Sequence, residues 1–298
     1  MTSLAGLRIG VIGLGLMGRH MARNLQAAGA RLTVHNRSPE PVRQMAEEGM
    51  TGAASPAELA AHVGDGVIVL MVTNSDAVRQ VIEGPDGILE TLAPGALVID
   101  MGTTQVTDTR ELAARVTAAG AAYVDAPVSG GEVGARDGNL SIMAGGSLAD
   151  YDRALPLFEI LGRNINRIGE VGAGQVAKTA NQMIVGMTLD AVAEALTLAE
   201  AAGVDPAKVR DALQGGFAAS RVLDLHGGRM VNGDFTPGGR ISVQHKDIRQ
   251  ASALADSLGV ALPGLARNLE IWTDALDRGL GEQDQAGIIN AFRNKPAE

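Results

Sequence analysis

Leu7-Arg8-Ile9-Gly10-Val11-Ile12-Gly13-Leu14-Gly15-Leu16-Met17-Gly18 is the stretch on which the fold turns. The apolar run Leu7 to Ile12 reads as a buried strand, and the residues from about Met17 to Ala28 read as an amphipathic helix. Between them the glycines follow the pattern G-x-G-x-x-G. In that setting Gly13 makes a tight turn, Gly15 lets the backbone approach a diphosphate, and Gly18 lets helix and strand pack closely. The helix N-terminus adds N–H donors for the anion. The hexad alone is weak, but a strand before and a helix after make Gly13, Leu14, Gly15, Leu16, Met17 and Gly18 a dinucleotide-binding turn. The plainer alternative is a glycine-rich turn with no ligand.

The next strand, Arg31 to His35, ends where an acidic residue would hold the adenosine ribose hydroxyls of NAD. The sequence there is His35-Asn36-Arg37-Ser38, without a carboxylate. Arg37, with Asn36 and Ser38, suits a ribose 2′-phosphate through charge-assisted hydrogen bonds, which favours NADP(H) and leaves NAD open. An ordinary surface arginine is the competing reading. Val67 to Val72 and Leu97 to Ile99 are further apolar strands with helical stretches between them, the pattern of a parallel sheet covered on both faces. Ligands bind beyond the carboxyl ends of such strands, which puts Thr73, Asn74 and Thr103 at the cofactor cleft; helix capping suits the same residues equally.

Ala121 to Val124 is another short strand, leading into Asp125-Ala126-Pro127-Val128-Ser129-Gly130-Gly131. A hydroxyl at Ser129 with backbone N–H groups at Gly130 and Gly131 suits a small carboxylate; a simple turn is the alternative. Leu140 to Ala144 and Ile165 to Ile168 complete the strands of an α/β domain spanning 1–168. A domain of 169–298 follows, opening with one long helix from Gly174 to Ala202, about 40 Å at ~1.5 Å per residue. That helix is apolar almost all round, so it is expected to be packed on every side and to join the two domains. At its start stand Lys178, Asn181 and Gln182, which share one face. A buried ammonium is costly unless paired or set in a wet cleft, so Lys178 marks a candidate site rather than packing; a lysine reaching out to solvent is the bland reading. Beyond the helix the chain reads as all-helical. Lys246, in His245-Lys246-Asp247, either reaches an anionic substrate or is a surface lysine beside an aspartate.

A net charge of −9 argues against nucleic acid or anionic membrane as partner, and scarce aromatics offer no stacking surface for bases. No cysteine is present, so thiolate chemistry and disulfides are excluded, which fits a cytoplasmic protein. The N-terminus lacks the charged and apolar regions of a signal peptide, and the mature chain is expected to start there. Asp190, Glu194 and Glu200 interrupt the apolar helix, against a membrane span.

Taken together, Gly13 to Gly18, Asp125 to Gly131, Gly172-Ala173-Gly174-Gln175 through Lys178 to Asn181-Gln182, and Lys246-Asp247 resemble the β-hydroxyacid dehydrogenase family. That family includes 3-hydroxyisobutyrate dehydrogenases and tartronate semialdehyde reductases. The segments Asn181-Gln182, Gly215 to Ser220 and Val222-Leu223-Asp224 look most like the latter. The resemblance implies an N-terminal Rossmann domain, a long connecting helix and an all-α C-terminal domain. It also implies reversible hydride transfer between a nicotinamide and a short 3-hydroxy acid or its semialdehyde. Lys178 falls on the family's acid/base, while Ser129, Gly130, Gly131, Asn181, Gln182 and Lys246 fall on its substrate contacts, Lys246 reaching the cofactor side as well. Some relatives carry Asn where this chain has Gln182.

Rival readings lack their residues. A metal-dependent dehydrogenase needs clustered ligands, and His20, His35, His62, His226 and His245 show no such spacing. A short-chain dehydrogenase needs a Tyr with Lys four residues on, absent after Tyr123 and Tyr151. A catalytically silent NADP-binding sensor would have no use for Lys178 and Ser129. A wholly apolar helix needs cover, so a homodimer or homotetramer is expected.

Overall fold

The computed structural model describes residues 3–293 and falls into two compact units, one ending at Lys178 and one beginning at Thr179. The first is built on a nine-stranded sheet. Its strands are β1 (Arg8–Ile12), β2 (Arg31–His35), β3 (Thr51–Gly52), β4 (Val67–Leu70), β5 (Leu97–Asp100), β6 (Ala122–Asp125), β7 (Val128–Ser129), β8 (Leu140–Gly145) and β9 (Gly162–Gly169). The order β3-β2-β1-β4-β5-β6 is parallel throughout; β8 then pairs antiparallel with β6 and β7, and parallel with β9.

Alternate residues along each strand enter opposite cores, as the period of two requires. Val67, Val69, Leu97 and Ile99 pack on one face with Met21 and Leu25 of the helix Gly18–Ala27. Ile68, Leu70 and Val98 pack on the other with Leu59, Leu112 and Val116. With both faces covered, the strands carry no polar side, which is why they read as unbroken apolar runs. The cleft-forming loops therefore lie at the carboxyl ends of β1, β2, β4, β5 and β6.

The second unit is helical. Leu189, Val192, Ala193 and Leu196, one stripe of the connecting helix Ala173–Ala201, pack with Ile241, Ile248 and Ala251 of the helix Ile241–Ser257. Leu265, Ile271 and the fully buried Trp272 come from the helix Pro263–Asp277. Gly186 lets these helices approach closely: a Cβ on it would lie within 3.0 Å of Gln244, Asn268 and Ile248 side-chain atoms, which would have to shift to admit it.

The expectation that the connecting helix is packed on every side is corrected. Ile184 is 62% exposed and Leu198 72% exposed, with Met187 also at the surface. Apolar residues all round a helix do not say which stripe finds a partner, and within one chain a single stripe does. By length and composition the helix could cross a membrane. Its Asp190, however, is buried and accepts a hydrogen bond from Asn268 Nδ2 at 2.5 Å, as a core helix would arrange it.

Candidate active site

The glycine-rich turn leaves β1 with Gly13 at φ +99°. A Cβ on Gly13 would strike the Met71 backbone, and one on Gly18 would strike Gly13 O, so packing alone dictates both glycines. Gly15 differs: a Cβ there meets nothing within 4 Å. Its space is open, the property wanted where a ligand's diphosphate lies against backbone. The N–H groups of Gly15, Leu16 and Met17 donate to no protein acceptor among the described residues, and the first turn of the following helix has no acidic side chain. Open space, unsatisfied donors and a positive helix end fit a dinucleotide.

Asn36 shapes this turn from the end of β2. Its Oδ1 accepts the Leu14 N–H at 3.0 Å and its Nδ2 donates to Ser38 O at 3.1 Å. Both ends of the amide are spent inside the turn, so of the three residues read as a 2′-phosphate site, Arg37 is the one with a charged group to offer. Its side chain is exposed, and it forms no ion pair with a described residue. Asn74 takes the capping role: its Oδ1 accepts from Ala77 N at 2.8 Å at the start of the helix Ser75–Glu83. Thr73 and Thr103 stand at the ends of β4 and β5, in the loops where a cofactor would lie.

Past β6 the chain turns through Pro127 to Ser129, Gly130 (φ +137°) and Gly131 (φ +62°). Two successive residues in this region of φ suit glycine, which has no Cβ to strain there. Neither the Gly130 and Gly131 N–H groups nor the Ser129 hydroxyl bonds to a described residue, which fits a carboxylate. This loop is tied to the nucleotide-binding helix: Arg19 Nη2 pairs with Glu132 Oε1 at 2.7 Å, and Asn24 Nδ2 donates to Ala135 O at 2.8 Å. Lys178 is buried and its Nζ donates to Val128 O at 2.8 Å, one residue before Ser129. Within the first unit, the acid/base candidate and the carboxylate candidate thus meet at one strand.

What holds Lys178 there was not assigned from sequence. Asp125, wholly buried at the end of β6, accepts Gly172 N–H at 2.7 Å on Oδ1 and Gln175 N–H at 2.8 Å on Oδ2. It caps the connecting helix from another strand. Gln175, also buried, donates through Nε2 to Gly102 O at 3.0 Å and accepts Thr104 N–H at 3.1 Å, fastening the loop after β5 to the same helix start. Burial raises the Asp125 carboxyl to about 7, against the two backbone donors, with Asp100 adding repulsion. An aspartate closing an apolar strand was the available signal.

In the second unit, Asn181, Gln182 and Lys246 converge on one polar chain. Asn181 Nδ2 donates to Gln182 Oε1 at 2.8 Å, Gln182 Nε2 donates to Asp247 Oδ2 at 2.6 Å, and Lys246 Nζ lies 3.0 Å from Asp247 Oδ1. Asp247 and Gln244 were not read as site residues; both are buried in the helix Ile241–Ser257.

Residues 8–169 match the family described as the NAD binding domain of 6-phosphogluconate dehydrogenase, and residues 172–292 match the NAD-binding domain of NADP-dependent 3-hydroxyisobutyrate dehydrogenase. The chain belongs to the NAD(P)-dependent 3-hydroxyacid dehydrogenases. It is 40% identical to 2-hydroxy-3-oxopropionate reductase of Escherichia coli, over 96% of this chain and 97% of that one. A 3-hydroxyisobutyrate dehydrogenase from Salmonella typhimurium superposes with a TM-score of 0.87 at 32% identity, covering 95% of this chain and 99% of the other. Psf3, solved in complex with NADP+ and 2-OPP, superposes with a TM-score of 0.85 at 27% identity, covering 95% of this chain and 99% of its own. As a 3-hydroxyacid dehydrogenase the chain is an oxidoreductase that binds a nicotinamide dinucleotide and acts on a small hydroxy acid.

Proposed function

We propose that this dehydrogenase prefers NADP(H) and interconverts D-glycerate and tartronate semialdehyde. The observation that carries the reading is the buried Lys178 ammonium hydrogen-bonded to Val128 O, next to Ser129. The bound cofactor supplies the hydride chemistry. Lys178 supplies the proton: as negative charge grows on the aldehyde oxygen, its ammonium stabilises that oxygen and protonates it, and in oxidation the neutral amine takes the proton back. Val128 O can accept a hydrogen bond but not the proton, so it orients Lys178 without consuming its acid function. Ser129 and the Gly130 and Gly131 N–H groups hold the substrate carboxylate, Lys246 adds positive charge, and Asn181 orients the substrate. Arg37 supports the choice of NADP(H).

The test is a panel of short hydroxy and oxo acids assayed with NADPH and NADH. Lys178→Ala is expected to lose at least ~10² in kcat with NADPH affinity retained. Arg37→Ala is expected to raise the KM for NADPH at least ~10-fold while sparing NADH. Near-normal turnover by Lys178→Ala removes the acid/base role. Turnover best on 3-hydroxyisobutyrate, succinic semialdehyde or glyoxylate replaces the substrate and keeps the chemistry. We also propose a homodimer or homotetramer, supported by the exposed Ile184, Met187 and Leu198 on the connecting helix.

A further inference from the structure

The polar chain of the second unit has a direction, and the direction has a chemical meaning. Asp247 pairs with Lys246 and is only 4% exposed. Its carboxylate can only accept, so Gln182 must turn its Nε2 toward it, as the 2.6 Å contact has it. A second acceptor fixes the same choice independently. The Gln182 backbone carbonyl accepts Gln244 Nε2 at 2.9 Å, so Gln244 Oε1 faces Gln182 Nε2 at 3.2 Å. With its Nε2 committed twice, Gln182 presents Oε1 to Asn181, and Asn181 must answer with Nδ2, at 2.8 Å. The Asn181 carbonyl oxygen is the end of the amide that accepts no hydrogen bond among the described residues.

We infer that Gln182 is a positioning residue, one that sets the Asn181 amide so that its carbonyl oxygen accepts a hydrogen bond from a hydroxyl of the substrate. This rests on the function proposed above and narrows it. An acceptor matches a donor: a hydroxyl on the carbon beside the aldehyde satisfies it, whereas a hydrogen, a methyl or the aldehyde oxygen itself leaves it without a partner. The substrate class is therefore the 2-hydroxy-3-oxo acids and their 2,3-dihydroxy products. An acceptor that the bound substrate leaves without a donor discriminates more strongly than a missing methylene does.

The decisive comparison is NADP+ reduction by wild type on D-glycerate and on 3-hydroxypropanoate, the same acid without the 2-hydroxyl. The expected kcat/KM ratio is at least ~10² in favour of D-glycerate. Gln182→Met, of similar length but without hydrogen-bonding groups, is expected to bring the ratio below ~10, chiefly through a raised KM for D-glycerate. If that variant does not fold, Asp247→Asn frees the Gln182 amide to turn over and is expected to lower the same ratio. Equal kcat/KM on the two acids, with Lys178-dependent turnover intact, overturns the inference and leaves the proposed chemistry standing. A Gln182→Met enzyme that loses rate equally on both acids also overturns it, since that is what a purely structural residue would do. Absence of lysine-dependent turnover on both acids removes the proposed function, and the inference falls with it.

Discussion

Gly15 and Gly18 belong to one motif but answer to different forces. Gly18 is imposed by the protein, because a Cβ would run into Gly13 O; Gly15 is left open by it. Gly18→Ala is therefore expected to destabilise the unliganded protein by about 1–3 kcal/mol, the ordinary result of forcing a methyl into packed backbone. Gly15→Ala should leave the unliganded melting temperature almost unchanged and weaken NADPH binding ~10-fold or more, since the methyl would stand where the diphosphate approaches. Calorimetry with and without NADPH separates the two. Equal loss of stability in both variants would mean that Gly15 is a packing glycine after all. The role proposed for Arg37 is read from residue type alone, whereas the role proposed for Gln182 depends on Asp247, 65 residues away.

At the scale of elements, the start of the connecting helix is held by a carboxylate from β6. Asp125→Asn keeps one acceptor and turns an N–H donor toward a backbone N–H, costing about 1–3 kcal/mol. The expected outcome is a lower melting temperature together with a drop in kcat larger than any change in NADPH affinity, because the helix start carries Lys178 and not the diphosphate turn. Unchanged kcat in a folded variant would separate the cap from catalysis. The long apolar strands, the glycine turn and the connecting helix were readable because each is specified by residues close in sequence. The Asp125 cap was hidden because donor and acceptor are 47 and 50 residues apart. β3 and β7 were missed for another reason: two residues show no period. The apolar character of the connecting helix was read correctly but its cover was not, since burial is decided by partners and not by the helix.

For the whole molecule, stability should depend on pH through two buried carboxyls, one in each unit. Burial raises Asp190 to about 7, with Asn268 opposing, as it does Asp125. A carboxyl whose folded value is raised contributes stability that is fully present below its unfolded value and lost as pH rises through the folded one. The melting temperature is therefore expected to fall between about pH 4 and pH 7, and Asp190→Asn should flatten part of that fall, its advantage growing across the window and reaching its full size above it. Parallel profiles for variant and wild type would rule Asp190 out. Light scattering at micromolar concentration tests the assembly, and a monomer mass would contradict it.

The scarcity of aromatic residues has a spectroscopic consequence. The single tryptophan, Trp272, lies fully buried in the helical unit, whereas both tyrosines, Tyr123 and Tyr151, lie in the sheet-bearing unit. Emission excited at the red edge of the absorption band therefore comes from the helical unit alone, and tyrosine emission from the other. The chain carries two intrinsic fluorophores with separate addresses, so an unfolding experiment can ask which half melts first without attaching a label.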